Sequence, residues 1–173
     1  MLENIFNPIE EANLLLKKFN VNEPPIDVDF IAKEIGIDLF YEYLPDDISG
    51  ILNIEQNKKP IIIINSEHHK NRKRFSIAHE IGHYILHKNN GIHIDKKSFL
   101  RDNKSSQALY SIEIEANKFA AELLMPIELL KKEIENIEDI IDFEEDIISE
   151  LAKKFEVSTT AMGIKFQSLG YFF

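Results

Sequence analysis

The chain has 173 residues, of which 44% are hydrophobic and 29% are charged, and it contains no cysteine. This size and balance are typical of one globular domain that can bury a core. Disulfides and thiolate metal sites are excluded, so a metal would have to be held by His, Asp or Glu. The net charge of −10 argues against direct binding of nucleic acid by the surface as a whole. The start of the chain lacks a signal peptide pattern and no apolar run is long enough to span a membrane, so a soluble cytoplasmic protein is expected.

Two helices are predicted before the first strand. The first covers residues 9–19, where apolar residues recur at helical spacing. The second starts at Asp27 as N-cap and runs to Ile35, with Gly36 as C-cap. The prolines at 24 and 25 separate the two helices.

Three strands are predicted next, followed by a long helix. Alternating and β-branched residues place the strands at 37–43, 48–55 and 60–65. Ser66 is expected to cap a helix over residues 67–88.

The second half of the chain is predicted to be helical. The polar stretch from residue 91 to about 107 has little periodicity and is interpreted as a loop. Helices are expected at 106–125 and 127–150, and two short helices within 147–170, with Ser158 as an N-cap. The fold class is therefore predicted to be α+β, with a small antiparallel sheet packed against helices.

The run His79-Glu80-Ile81-Gly82-His83 lies on the predicted helix over 67–88. Two His residues four apart on a helix are about 40° apart around the axis and about 6 Å apart along it. Both imidazoles can therefore bind one ion, and Glu80 can act as the base that takes a proton from water and gives it to the leaving amine. This is the H-E-x-x-H arrangement of zinc metalloproteases.

A catalytic zinc needs a third protein ligand. His87 would lie about 12 Å along the same helix from His79, too far to share one ion, so we expect it to support the site or pack beside it. The metzincin variant is excluded because Asn89 stands where its third His would be. His68 and His69 are poor candidates, and His93 in the following loop stays open but is not favoured.

The helix predicted at 106–125 is the better source of the third ligand. Glu113 borders its apolar stripe, whereas Glu115 lies on its polar face. We therefore favour Glu113, with Glu115 as the alternative. Asn117, one turn after Glu113, could form a hydrogen bond with a metal ligand. The residue that stabilises the oxyanion is not assigned, because Tyr84, His93 and Tyr110 are candidates by residue type alone.

Two segments of the sequence resemble a known family, the ImmA/IrrE-type metallopeptidases. The first is 74–87 (RFSIAHEIGHYILH) and the second is 113–126 (EIEANKFAAELLMP). Shorter similarities lie at 24–28 (PPIDV), 49–52 (SGIL) and 150–158 (ELAKKFEVS), so the resemblance covers nearly the whole chain.

The resemblance implies a gluzincin-like site on a zincin-like core, expected within residues 1–126. It implies His79 and His83 as ligands, Glu80 as base and Glu113 as third ligand of zinc, with manganese as an alternative metal. Residues 127–173 would then form a helical C-terminal segment packed on the core within one continuous domain.

The family resemblance also implies a substrate class. Such proteins typically cleave a helix-turn-helix repressor, here expected to be of the XRE type, that controls a mobile element, a prophage or a stress response. Two alternatives stay open. One is a metal-containing binding module without proteolysis, and the other is a toxin–antitoxin component.

Overall fold

The computed structural model describes residues 7–87, 91–96, 106–138 and 144–170. These residues form an α+β fold, which confirms the predicted class. In chain order the elements are α1 (Pro8–Lys18), α2 (Val28–Glu34), β1 (Asp38–Glu42), β2 (Ile48–Ile54), β3 (Ile61–Asn65), α3 (Lys70–Leu86), β4 (Gly91–Lys96), α4 (Ser106–Leu124), α5 (Ile127–Glu138), α6 (Glu144–Phe155) and α7 (Thr159–Ser168).

The four strands form a mixed sheet in the order β1-β3-β2-β4. β2 pairs antiparallel with β3, as predicted, and also with β4, which was not predicted. The expectation of a purely antiparallel sheet is wrong for β1, which lies parallel to β3. The reason is that β2 and β3 form an antiparallel hairpin, and β1 pairs with the edge of β3 that faces away from β2. This makes β3 an inner strand, whose Ile62 and Ile64 are fully buried.

The long helix α3 starts later than predicted. Its N-cap is His69, whose Nδ1 accepts from the backbone N–H of Asn71 at 3.3 Å, and not Ser66. The buried side chain of Asn65 is the physical cause, because its Oδ1 accepts the N–H of Glu67 and holds that residue in a turn. The other two predicted N-caps, Asp27 and Ser158, are confirmed. The C-cap of α2 is Ile35 rather than the predicted Gly36, which follows it with a φ of 86°.

The stretch predicted as a loop from residue 91 contains a strand instead. Residues 91–96 form β4, which pairs with β2 and is an edge of the sheet. The rest of that predicted loop, 97–105, lies outside the described residues. So do residues 139–143 of the predicted helix over 127–150, the described parts of which belong to α5 and α6.

The hydrophobic core is continuous from the first helix to the last. Its fully buried side chains include Ile31 of α2, Ile77 of α3 and Phe119 of α4. The C-terminal helices contribute to the same core through Phe155 and Met162. Among the residues that the structure describes, no helix is both long and apolar enough to cross a membrane.

Candidate active site

The middle of α3 carries the His79–His83 run into the interior. His79, Glu80 and His83 are all buried, and Glu80 is completely so. The Nε2 atoms of His79 and His83 face each other at 2.9 Å. One helical turn therefore aims two imidazole nitrogens at one point, as the four-residue spacing predicts.

Glu113 of α4 completes a three-residue cluster. Its Oε2 lies 3.2 Å from Nε2 of His79, and its Oε1 lies 3.6 Å from Nε2 of His83. All three ligating atoms lie within 4.8 Å of one another. Ligands of a tetrahedral zinc with bonds near 2.1 Å are about 3.4 Å apart, so the donor set and its spacing fit such an ion. The structure thus brings together the three residues that the sequence singled out.

Glu115, the alternative third ligand, lies elsewhere. It accepts a hydrogen bond from Ser111 at 3.4 Å, and its Oε2 is 3.9 Å from Nδ1 of His87. Its side chain is 39% exposed. The helical facing that separated Glu113 from Glu115 in the sequence is therefore reproduced by the fold.

Asn117 contacts the first histidine of the cluster. Its Oδ1 lies 3.1 Å from Nδ1 of His79. Because an amide oxygen only accepts, Nδ1 of His79 donates to it, and Nε2 is the nitrogen that faces Glu113 and would bind a metal. This pairing of an imidazole N–H with a carbonyl oxygen is typical of metal-ligating histidines.

His87 lies beside the cluster rather than in it. Its ring centroid is 5.5 Å from that of His83, and burial lowers its pKa. Its contacts with His83 and Glu115 agree with a packed or supporting residue. The described contacts place neither Tyr84 nor Tyr110 against the cluster.

His93 is the residue of the site that the sequence interpretation undervalued. It lies on β4, with Nδ1 3.2 Å from Oε2 of Glu80 and Nε2 2.9 Å from Oε1 of Glu113. Its ring centroid is 3.8 Å from that of His83. The alternation of Ile92 and Ile94 with His93 and Asp95 was a strand signal that could have revealed it.

The side chains of the cluster differ in their protonation. Although burial alone would raise the pKa of Glu113, the three surrounding imidazoles hold it far below its usual range. Burial lowers the pKa of His83 to about 4, so this imidazole is neutral at pH 7. Burial opposes charge on His93 as well, but Glu113 and Glu80 raise its pKa to about 10. Burial also opposes charge on His79, but Glu113 and Glu80 raise its pKa. The ionised carboxylate of Glu113 and the neutral imidazole of His83 are states that bind metals, and a metal at this cluster would displace a proton from His79.

Glu80 has the environment of a general base. Burial raises its pKa, and the nearby His93 and His79 oppose part of that rise. Its Oε1 is buried and has no hydrogen-bond partner among the described residues. Gly50 of β2 makes room for it, since a Cβ there would lie 3.0 Å from that oxygen. A buried carboxylate oxygen that lacks a donor is suited to hold a water and to take its proton.

Comparison with known proteins identifies the family of this chain. The profile of the IrrE N-terminal-like domain, a peptidase family, matches residues 32–167. The chain belongs to this family. Both motifs that line the IrrE-like site, 74–87 and 113–126, lie within the matched range.

One relative and one solved structure differ in how much they share with this IrrE-like chain. It is 30% identical over 115 residues to the uncharacterised immunity region protein 2 of Bacillus phage phi105, a match that covers 65% of this chain and 64% of the relative. A solved Mycobacterium tuberculosis transcriptional regulator has the same fold, with a TM-score of 0.61 at 15% identity. That match covers 91% of this chain and 46% of the regulator, so the chain spans about half the regulator's length.

Proposed function

We propose that this IrrE-like chain is a zinc-dependent endopeptidase that cleaves a helix-turn-helix repressor. The observation that carries the proposal is the convergence of His79, His83 and Glu113 beside the buried carboxylate oxygen of Glu80, which has no hydrogen-bond partner in the described part of the chain. A purely structural metal site has no use for such a base.

Each residue then has a role. His79, His83 and Glu113 would hold zinc, which would polarise the peptide carbonyl and lower the pKa of a bound water. Glu80 takes the proton of the attacking water and delivers it to the leaving amine. His93, within 3.2 Å of Glu80, orients that carboxylate. The nitrogen and oxygen donors would also accept manganese.

The substrate proposal draws on the relatives as well as on the family resemblance. One relative is named for a phage immunity region, and the solved structure is named a transcriptional regulator. The regulator, at 15% identity, supports only the fold, so the proposed substrate, an XRE-type repressor encoded beside this gene, rests on the family resemblance together with the name of the phage relative. Cutting that repressor would release the genes of a mobile element, a prophage or a stress response.

The test uses Glu80→Gln and the repressor encoded by the neighbouring gene. We expect the variant to retain zinc and to cleave the repressor about 100- to 10,000-fold more slowly, the usual contribution of a general base. Metal analysis and gel-based cleavage kinetics measure both properties. Wild-type protein treated with a chelator should also be inactive.

Unimpaired cleavage by Glu80→Gln would contradict the mechanism. Repressor binding that yields no fragments from the wild-type protein and resists a chelator would instead identify a binding module without proteolysis.

A further inference from the structure

The basic run at residues 70–74 opens α3, and three of its four charged side chains are engaged by the fold. Lys70 pairs with Glu156 at 2.5 Å. Arg74 pairs with the same carboxylate at 3.6 Å and donates to nearby backbone carbonyls. Lys73 donates to the carbonyl of Ser66 at 3.1 Å and lies over the ring of Tyr41. These contacts bind α3 to its neighbours.

Arg72 is the exception in that run. It is half-buried, and within the described residues its guanidinium makes one hydrogen bond, from Nη2 to Oγ of Ser49 at 2.7 Å. No carboxylate oxygen of the described side chains lies within 4.0 Å of its nitrogens. Arginine has five N–H donors, so most of its capacity is left for a ligand.

The partner of Arg72 is placed by an irregularity in the sheet. The register between β2 and β4 shifts between Ile48 and Gly50, which makes Ser49 the extra residue of a β-bulge. A bulge re-aims a side chain, and Ser49 is buried, with 5% of its surface exposed. The next residue, Gly50, is the one that makes room for the catalytic carboxylate of Glu80. One bulge therefore positions both Arg72 and the space around the base.

Arg72 lies on the same face of α3 as the metal-ligand candidates. It precedes His79 by seven residues, which puts it about 10 Å along the axis and about 20° around it. An extended peptide advances about 3.3 Å per residue. A substrate that runs along this face would thus bring a side chain about three residues from the scissile bond to the guanidinium.

From this placement we propose that Arg72 forms a specificity subsite for a substrate carboxylate. Resting on the peptidase function proposed above, this inference assigns Arg72 to an Asp or Glu side chain about three residues from the cleaved bond. The planar guanidinium suits a carboxylate because it can donate two parallel hydrogen bonds. Ser49 keeps the group oriented before the substrate arrives. In a chain of net charge −10, an unpaired arginine beside the site gives acidic peptides a local attraction.

Short peptide hydroxamates test the inference, because the hydroxamate anchors on the metal and fixes the register of the peptide. Two series carry the hydroxamate at one or the other end, and Asp is compared with Asn at each of the first four positions. Binding to the zinc-loaded protein is measured by calorimetry. We expect one position, about three residues from the anchor, to favour Asp over Asn by at least about tenfold.

The variants separate the role of Arg72 from general charge. Arg72→Gln should abolish the preference for Asp while leaving zinc content and Asn-peptide affinity unchanged, and Arg72→Lys should retain part of it. Lys73→Gln is the matched control, since it removes one positive charge at the adjacent position and should keep the preference. Equal affinity for Asp and Asn at every position, or a preference that survives in Arg72→Gln, would overturn the subsite. If no hydroxamate binds at all, the peptidase proposal fails together with it.

Discussion

At the scale of single residues, the site depends on which glutamate of α4 faces α3. Glu113 lies 3.2 Å from His79, whereas Glu115 lies near His87 and is 39% exposed. Residues two apart in sequence differ by about 200° around the helix axis, so only one of these two carboxylates can point at the cluster. The geometry therefore assigns different roles to two chemically identical side chains.

Exchange of each glutamate for alanine should separate them. Glu113→Ala is expected to lower zinc affinity by about 100-fold or more, because it removes one of three protein ligands. Glu115→Ala should leave affinity within about twofold, because among the described residues its carboxylate contacts Ser111 and His87 and not the cluster. Competition with a chromophoric chelator measures both. A loss of zinc in Glu115→Ala with full binding in Glu113→Ala would move the ligand to Glu115.

Residue patterns predicted much of the site, and tertiary structure supplied the rest. His79, His83, Glu113 and Asn117 could be placed because each lies on a helix, where spacing in the sequence determines facing. His93 could not be placed from helical spacing, because its position depends on β4 pairing with β2 across the sheet. The alternation at 92–95 indicates a strand, but it does not show which strand is its partner or which face His93 occupies.

At the scale of elements, the distance between α3 and α4 decides whether the cluster can form. The helices meet at Gly82, where a Cβ would lie 3.1 Å from Cδ1 of Phe119 and 3.3 Å from the carbonyl oxygen of Ala116. Glycine costs about 1 kcal/mol inside a helix relative to alanine. It is tolerated here because it lets α4 bring Glu113 against the histidines of α3.

Gly82→Ala should therefore be unfavourable although alanine is the better helix former. We expect the free energy of unfolding to fall by about 1 kcal/mol, because overpacking against the Ala116 backbone outweighs the gain in propensity. Zinc affinity should fall by about tenfold as α4 is displaced. Urea denaturation and zinc titration are the measurements.

The matched control is Gly163→Ala in α7, where no described atom lies within 4 Å of the added Cβ apart from the adjacent residues and the backbone of the same helix. That change should stabilise the protein by about 0.5–1 kcal/mol and leave zinc affinity unaltered. If Gly82→Ala behaved in the same way, the close approach of the helices would not be what positions the site.

The order of the strands was the least predictable feature among the elements. Short connections between β1, β2 and β3 favour a simple antiparallel meander. The sheet instead places β1 beside β3, so that the Ile-rich β3 is covered on both edges. Burial of Ile62 and Ile64 stabilises this arrangement. The strand order cannot be predicted from β1 to β3 alone, because this burial depends on the complete sheet.

At the scale of the whole molecule, the C-terminal helices are tied to the helices of the site. Asn71 of α3 donates to the carbonyl of Val157 at 2.8 Å, between α6 and α7. Lys165 of α7 pairs with Glu122 of α4 at 2.6 Å, and Glu122 also accepts from Asn13 of α1. These contacts support the proposal that the C-terminal segment and the peptidase core form one continuous domain.

The buried pair of Lys165 and Glu122 allows that proposal to be tested. Their side chains are 10% and 2% exposed, so Lys165→Ala leaves a buried carboxylate without its cation. We expect a loss of about 3 kcal/mol in the free energy of unfolding and a single cooperative transition in urea.

Lys153→Ala, which breaks an exposed pair with Glu150, is the control and should cost less than about 1 kcal/mol. Separate transitions for the core and the C-terminal helices, with the core unaffected by Lys165→Ala, would show that the segment is an independent unit.

The central claim is that His79, His83 and Glu113 hold a single zinc ion, and anomalous diffraction at the zinc edge tests it most directly. Crystals grown with one equivalent of zinc should show one strong peak per chain, about 2.0–2.2 Å from Nε2 of each histidine and from a carboxylate oxygen of Glu113. A chain without a peak at this cluster, or a peak coordinated by His87 and Glu115, would contradict the account.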